Sequence, residues 1–117
     1  MNTKEFTNTA EMPEGAVGLT KLPRPKSFTC AADQARFMGL KVGDVIVGRE
    51  GGGESLSSCW WQEEMLTLKF IGDRCCVWDA KWRNRALDKF REDGETANWD
   101  LSARDWYLVD YNHETTD

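Results

Sequence analysis

The spacing of hydrophobic positions changes character along the chain. Residues 1–27 keep no sustained period and hold all three prolines (Pro13, Pro23 and Pro25) among threonines, glutamates and lysines. They are expected to form a flexible N-terminal arm, in which Leu19 to Lys26 runs extended along the domain. In residues 28–40, Ala31, Ala32, Ala35 and Met38 recur at helical spacing. Thr29 is the expected N-cap, and Gly39 the stop signal. The alternative is that Phe37 to Leu40 leads directly into the first strand.

From residue 41 the period becomes that of strands. Lys41-Val42-Gly43-Asp44 reads as a turn, followed by the β-branched run Val45-Ile46-Val47. Residues 48–58, with Gly51-Gly52-Gly53 and Ser55, Ser57 and Ser58, are expected to be a long mobile loop. The Gly-Lys-Ser/Thr ending of a phosphate-cradling Walker loop is missing from it. Strands are predicted over residues 60–71 and 74–82, joined by a two-residue turn at Gly72-Asp73. That turn sets a register: Ile71 opposite Arg74, Phe70 opposite Cys75, Leu68 opposite Val77. Opposed residues share a face. Leu66, Leu68, Phe70, Cys75 and Val77 then form the core face, and Trp78 and Trp82 lie on the reverse.

Further along, Trp82, Ala86 and Phe90 recur every fourth residue, which suggests a short amphipathic helix or turn over residues 81–91. Residues 91–95 read as a charged loop. Residues 98–106 form a turn anchored by Trp99 and Trp106, and Tyr107-Leu108-Val109 a closing strand. The expected fold is mainly β: a small curled antiparallel sheet or SH3-like barrel of four to five strands with one short helix. An open antiparallel sheet with a helix packed on it is the alternative. The domain itself is placed at residues 28–110, with a polar tail at 111–117.

Charge and composition narrow the function classes. The net charge of −5 over 117 residues argues against direct duplex nucleic-acid binding, which rests on cations facing phosphates. Within this acidic chain, residues 81–91 carry five cations against one carboxylate. The chain has no apolar leader and no run of about 18 apolar residues, so neither export nor a membrane helix is expected. The four cysteines are therefore expected to be reduced thiols. No Cys-x-x-Cys spacing exists, and the one histidine, His113, sits in the tail. No metal, no cofactor and no nucleophile–base pair is expected, and hence no enzyme. Neighbouring acids such as Glu63-Glu64 read as a solvated face.

The segments Val42-Gly43-Asp44-Val45-Ile46-x-Gly48-Arg49-Glu50, Trp60-Trp61, Leu66-Thr67-Leu68-x-Phe70-Ile71-Gly72 and Asn98-Trp99-Asp100-Leu101-Ser102-x-Arg104-x-Trp106 together form a pattern. It resembles that of an uncharacterised family of short accessory proteins encoded by tailed bacteriophages, over roughly residues 40–109. The resemblance transfers no activity and no site. It implies a setting, the host bacterial cytoplasm, and a counter-defence or host-takeover role in which a host factor is bound and blocked.

Six tryptophans in so short a chain point to binding. Tryptophan and arginine are enriched at interface hot spots. Trp78, Trp82, Arg83, Arg85 and Trp99 are the candidate binding residues, with a host protein as the first expected partner. A small nucleotide is the second, its base stacked on tryptophan and its phosphates held by arginine. A structural virion or assembly component is the third reading. A homo-oligomer is compatible with the second and third.

Overall fold

The structure, a computed structural model, describes residues 12–27, 29–52, 60–84, 87 and 89–111. The β-rich segments form six strands: β1 (Ala16–Lys21), β2 (Val45–Gly52), β3 (Trp60–Ile71), β4 (Cys76–Asn84), β5 (Arg91–Ala97) and β6 (Trp106–Tyr111). All pairings are antiparallel, in the order β1-β6-β2-β3-β4-β5. The sheet is curled but not closed, and one helix, α1 (Ala31–Phe37), packs on it. This is the mainly β, curled-sheet architecture that the hydrophobic pattern predicts.

Sequence chemistry explains where α1 stops. Gly39 adopts φ +77, a conformation that costs glycine little. Its N–H donates to the Arg36 carbonyl while the Leu40 N–H reaches the Ala35 carbonyl, which closes the helix in a Schellman motif. The start differs from expectation. Cys30 is the N-cap and offers no side-chain bond, while the Thr29 hydroxyl donates to the Lys26 carbonyl instead. Buried Gln34 then locks α1 to its surroundings. Its amide donates to the Lys26 carbonyl at 2.9 Å and to Asp100 at 3.0 Å, and its oxygen accepts from the Leu101 N–H at 2.9 Å.

Three expectations are corrected at the sheet margins. Residues 16–21, placed in the flexible arm, form β1, and the Leu22 N–H extends its pairing to the Trp106 carbonyl. Residues 91–95, read as a loop, belong to edge strand β5. It is exposed along almost its whole length and so shows no hydrophobic alternation. The helical reading of 81–91 also fails, because Lys81 to Asn84 continue β4 and Arg91 opens β5. Residues 85, 86 and 88 lie outside the described residues. So does most of the expected 48–58 loop, although β2 runs on to Gly52 within it.

The correction with the largest consequence is the β3–β4 register. The Gly72 N–H donates to the Cys75 carbonyl at 2.8 Å, so the chain reverses over Asp73-Arg74 rather than Gly72-Asp73. Arg36 holds that tip by donating to the Gly72 and Asp73 carbonyls. A bulge at Lys69 then shifts the ladder once more, and Leu68 faces Trp78 and Leu66 faces Ala80. The net slip of one residue turns every β4 side chain to the opposite face from that expected. Cys76, Trp78 and Ala80 enter the core, whereas Phe70 and Cys75 are exposed.

The main core lies between the sheet and α1. It holds Ile46, Leu66, Leu68, Trp78, Leu101 and Trp106, each essentially without solvent exposure. Each such side chain contributes about 1.5–3 kcal/mol through burial. A second cluster around Val47 and Val109, with Leu19, Met65, Phe90, Tyr107 and Tyr111, forms on the other face. Residues from opposite ends of the strand order, Pro13 and Tyr111 at one and Lys81, Arg83 and Phe90 at the other, meet over this face, so it is the concave side of the curl.

Candidate functional site

Strand alternation distributes β3 and β4 side chains between the two faces. Glu63 and Glu64, adjacent in β3, therefore point in opposite directions, and both are buried, which corrects their reading as a solvated pair. On the concave face Glu63 sits in register between Arg49 of β2 and Arg83 of β4. The Arg83 Nε donates to Glu63 at 2.7 Å, and Arg49 approaches it at 3.8 Å. Arg49 also stacks 4.3 Å over the Trp61 ring, and Arg83 4.5 Å over Phe90. On the helix face Arg104 donates to Glu64 and, at 2.7 Å, to Glu50. Gly48 makes this second row possible. A Cβ there would meet Trp106 Cε3 at 2.8 Å and Arg104 Cδ at 2.9 Å.

The concave face ends in a cleft of about 310 Å³. Its walls come from opposite ends of the sheet: Pro13 and Glu14 ahead of β1, Met65 of β3, Lys81 and Arg83 of β4, Lys89 and Phe90 ahead of β5, and Tyr111 of β6. Curling is what brings them together. Three cations thus line one concavity in a protein of net charge −5. Arg83 is fixed by Glu63 and Phe90. Lys81 is 3.5 Å from Glu92, its partner across the β4–β5 ladder, with both side chains exposed. Lys89 has no carboxylate partner among the described residues.

The four described residues among the five sequence-predicted ones do not share a surface. Trp78 is 1% exposed and lies in the core, where the corrected register places it. Trp82 and Arg83 are consecutive in β4 and point to opposite faces, Trp82 half-buried on the helix side. Trp99 packs edge-on against Trp106, with centroids 6.4 Å apart, and borders a smaller hollow of about 180 Å³ with Gln34 and Asp100. Arg85 lies outside the described residues. Of the four that are described, Arg83 alone lines the cleft. Lys81 and Lys89 fall in the basic 81–91 stretch, so the charge pattern pointed to them. Pro13, Glu14 and Met65 carry no sequence signal for a site.

Two titrating groups are displaced from their usual range. Hydrogen bonds from the Gln34 side chain, then from the Ser102 N–H and hydroxyl, hold the Asp100 carboxyl below the ordinary carboxylate value. Burial pushes the Cys76 thiol up, with smaller contributions from the neighbouring Cys75 and Cys30. Among the described residues no three His, Cys, Asp or Glu side chains gather as metal ligands. No helix among them is long and apolar enough to cross a membrane. Comparison with known protein families, with curated proteins and with solved structures finds no match to this chain, and so nothing that bears on its likeness to phage accessory proteins.

Proposed function

We propose that this chain is a non-catalytic binding protein that holds a small anionic ligand in the cleft on the concave face of its sheet. The observation that carries this reading is the convergence of Lys81, Arg83 and Lys89 with Phe90, Tyr111 and Met65 around one cavity in an acidic protein. Cavities that pair apolar walls with a few convergent polar groups are the usual form of small-molecule sites, and about 310 Å³ lies at the lower end of their size range. The described lining contains no serine, cysteine or histidine, which favours holding a ligand over transforming it. In the setting that the phage-type resemblance implies, the role is sequestration of a host metabolite or signal. The host-protein reading loses its anchor, because Trp78 is core.

The test is thermal unfolding of the full chain against a panel of nucleotides, sugar phosphates and di- and tricarboxylates. A ligand present at 100 times its Kd stabilises the folded state by about 2.7 kcal/mol. At least one panel member should raise the Tm of the wild type and leave a Lys81→Glu/Lys89→Glu variant unchanged. If no anion moves the wild-type Tm, the cleft is not a ligand site.

A further inference from the structure

We infer that the free edge of β5 is a docking site for a basic, extended segment of another protein, which adds to the sheet as a further strand. None of the residues concerned lines the cleft proposed as the ligand site.

The backbone supplies the first ground. Among the described residues β5 is the last strand in the order, so one side of its main chain faces no neighbour. The Asn98 N–H donates to the Cys76 carbonyl at 3.0 Å. Antiparallel ladders alternate, so Thr96 also turns its N–H and C=O toward β4, and those of Glu95 and Ala97 point outward. Strand addition uses donors and acceptors at this spacing: main-chain bonds supply the affinity and side chains the selection. A bulge at Asp93, where Gly94 takes φ +82, limits the regular edge to residues 94–97, so the added strand is short.

The second ground is charge. Glu95 is the cross-strand partner of Asp79, so two carboxylates face each other on one side of the sheet. Opposed like charges destabilise a sheet. Among the described residues no cation comes within ion-pair distance of Asp79, Asp93 or Glu95, and none of these side chains makes a hydrogen bond. Glu92, on the same face as Glu95, has Lys81 at 3.5 Å, and both ends of that pair are open to solvent. These acids select the occupant. A second copy of β5 would set carboxylates against carboxylates and is rejected. A strand with Lys or Arg at alternate positions places its cations beside Glu95 and Asp79 and relieves their repulsion. The opposite edge, β1, carries Lys21 as its one charged residue and offers a basic strand no partner.

The test uses the full chain and the probe peptide acetyl-Thr-Lys-Val-Lys-Thr-Lys-Val-amide, followed by isothermal titration and amide hydrogen exchange. The peptide should bind and slow exchange of the Glu95 and Ala97 amides, leaving β1 unchanged. Its counterpart with Glu in place of each Lys should not bind. Methylating the peptide amides that face β5 removes donors but no charge, and should weaken binding at least about fivefold. Glu95→Lys, at an exposed position, should weaken it at least about tenfold. Asp79→Asn should weaken it about threefold while the Tm of the free protein stays level or rises, because the opposition to Glu95 is relieved. A residue needed only for folding would lower the Tm instead. Equal binding of the methylated peptide, protection at β1 rather than β5, or no binding of the basic peptide at millimolar concentration overturns the assignment.

Discussion

Replacing Trp78 separates the observed register from the one a Gly72-Asp73 turn would impose. In the observed register the indole faces Leu68, lies on the same face as Cys76 and Ala80, and is 1% exposed. Trp78→Ala removes one of the two largest side chains of the main core and leaves a cavity that a sheet fixed by strands on both sides cannot collapse. Substitutions of this kind cost about 3–5 kcal/mol. Domains of this size are stable by about 5–15 kcal/mol in all, so the loss is a large fraction of the total. A second variant refines the test. The Trp78 indole N–H is buried without a hydrogen-bond partner. Trp78→Phe therefore loses some packing but also removes an unsatisfied donor, and the two effects oppose each other. Its expected cost is below about 1.5 kcal/mol. Urea unfolding followed by far-UV circular dichroism measures both, with the denaturant slope checking that the unfolding transition is unchanged. A Trp78→Ala cost within about 0.5 kcal/mol of wild type is what a surface position gives, and it would refute the register and the core built on it.

Three other outcomes follow from the same geometry. Glu63→Gln leaves Arg49 and Arg83 without their shared carboxylate on a buried face, and removing one partner of such a row costs about 3–5 kcal/mol; a chemical-denaturation cost under about 1 kcal/mol would show that solvent already satisfies both guanidiniums. Gly48→Ala drives a methyl into Trp106 and Arg104 and should cost about 1–3 kcal/mol, read as a lowered Tm, whereas an unchanged Tm would mean that those side chains are free to move aside. Because Asp100 holds its proton less tightly when folded, its contribution is present in full above the unfolded carboxylate value near 3.9 and is lost as pH falls through the lower folded value. Asp100→Ala should thus destabilise by about 1 kcal/mol at neutral pH, with the gap to wild type closing in acid, and a gap independent of pH contradicts the assignment.

How far the fold can be read from the sequence depends on whether the determining contacts are local. The limits of β3, residues 60–71, and the Gly39 helix stop follow from patterns contained within each segment, and both agree with the structure. The turn beside β3 does not. Gly72-Asp73 is a good local turn pair, but Arg36, far away in sequence, binds the Gly72 and Asp73 carbonyls and the reversal moves one residue along. Lys69 then bulges in the middle of an unbroken run of strand formers, where no residue marks the irregularity. Edge strand β5 was hidden for a different reason. Its backbone pairs with β4 while its side chains stay in water, so nothing obliges the sequence Arg-Glu-Asp-Gly-Glu-Thr-Ala to alternate.

The candidate site was legible as charge but not as shape. The basic stretch of residues 81–91 marks the correct end of the sheet. Its enclosure depends on Pro13, Glu14 and Tyr111, which arrive only because β6 inserts between β1 and β2 and the sheet curls. One local signal was nonetheless available. Glu63 and Glu64 precede the stretch of β3 that alternates with the core, in a strand long enough to be central. Consecutive residues of a strand face opposite sides, so two neighbouring acids in a central strand cannot share one solvated surface. At least one must turn toward a covered face, and a carboxylate there requires a cation or hydrogen bonds of its own. Arg49, one strand away in register, and Arg83, one strand beyond on the other side, answer to that requirement for Glu63, and Arg104 answers to it for Glu64. Such a doublet of acids therefore predicts buried arginines on both faces, and it would have pointed to Arg83, and through it to the cleft, without any appeal to the tryptophans.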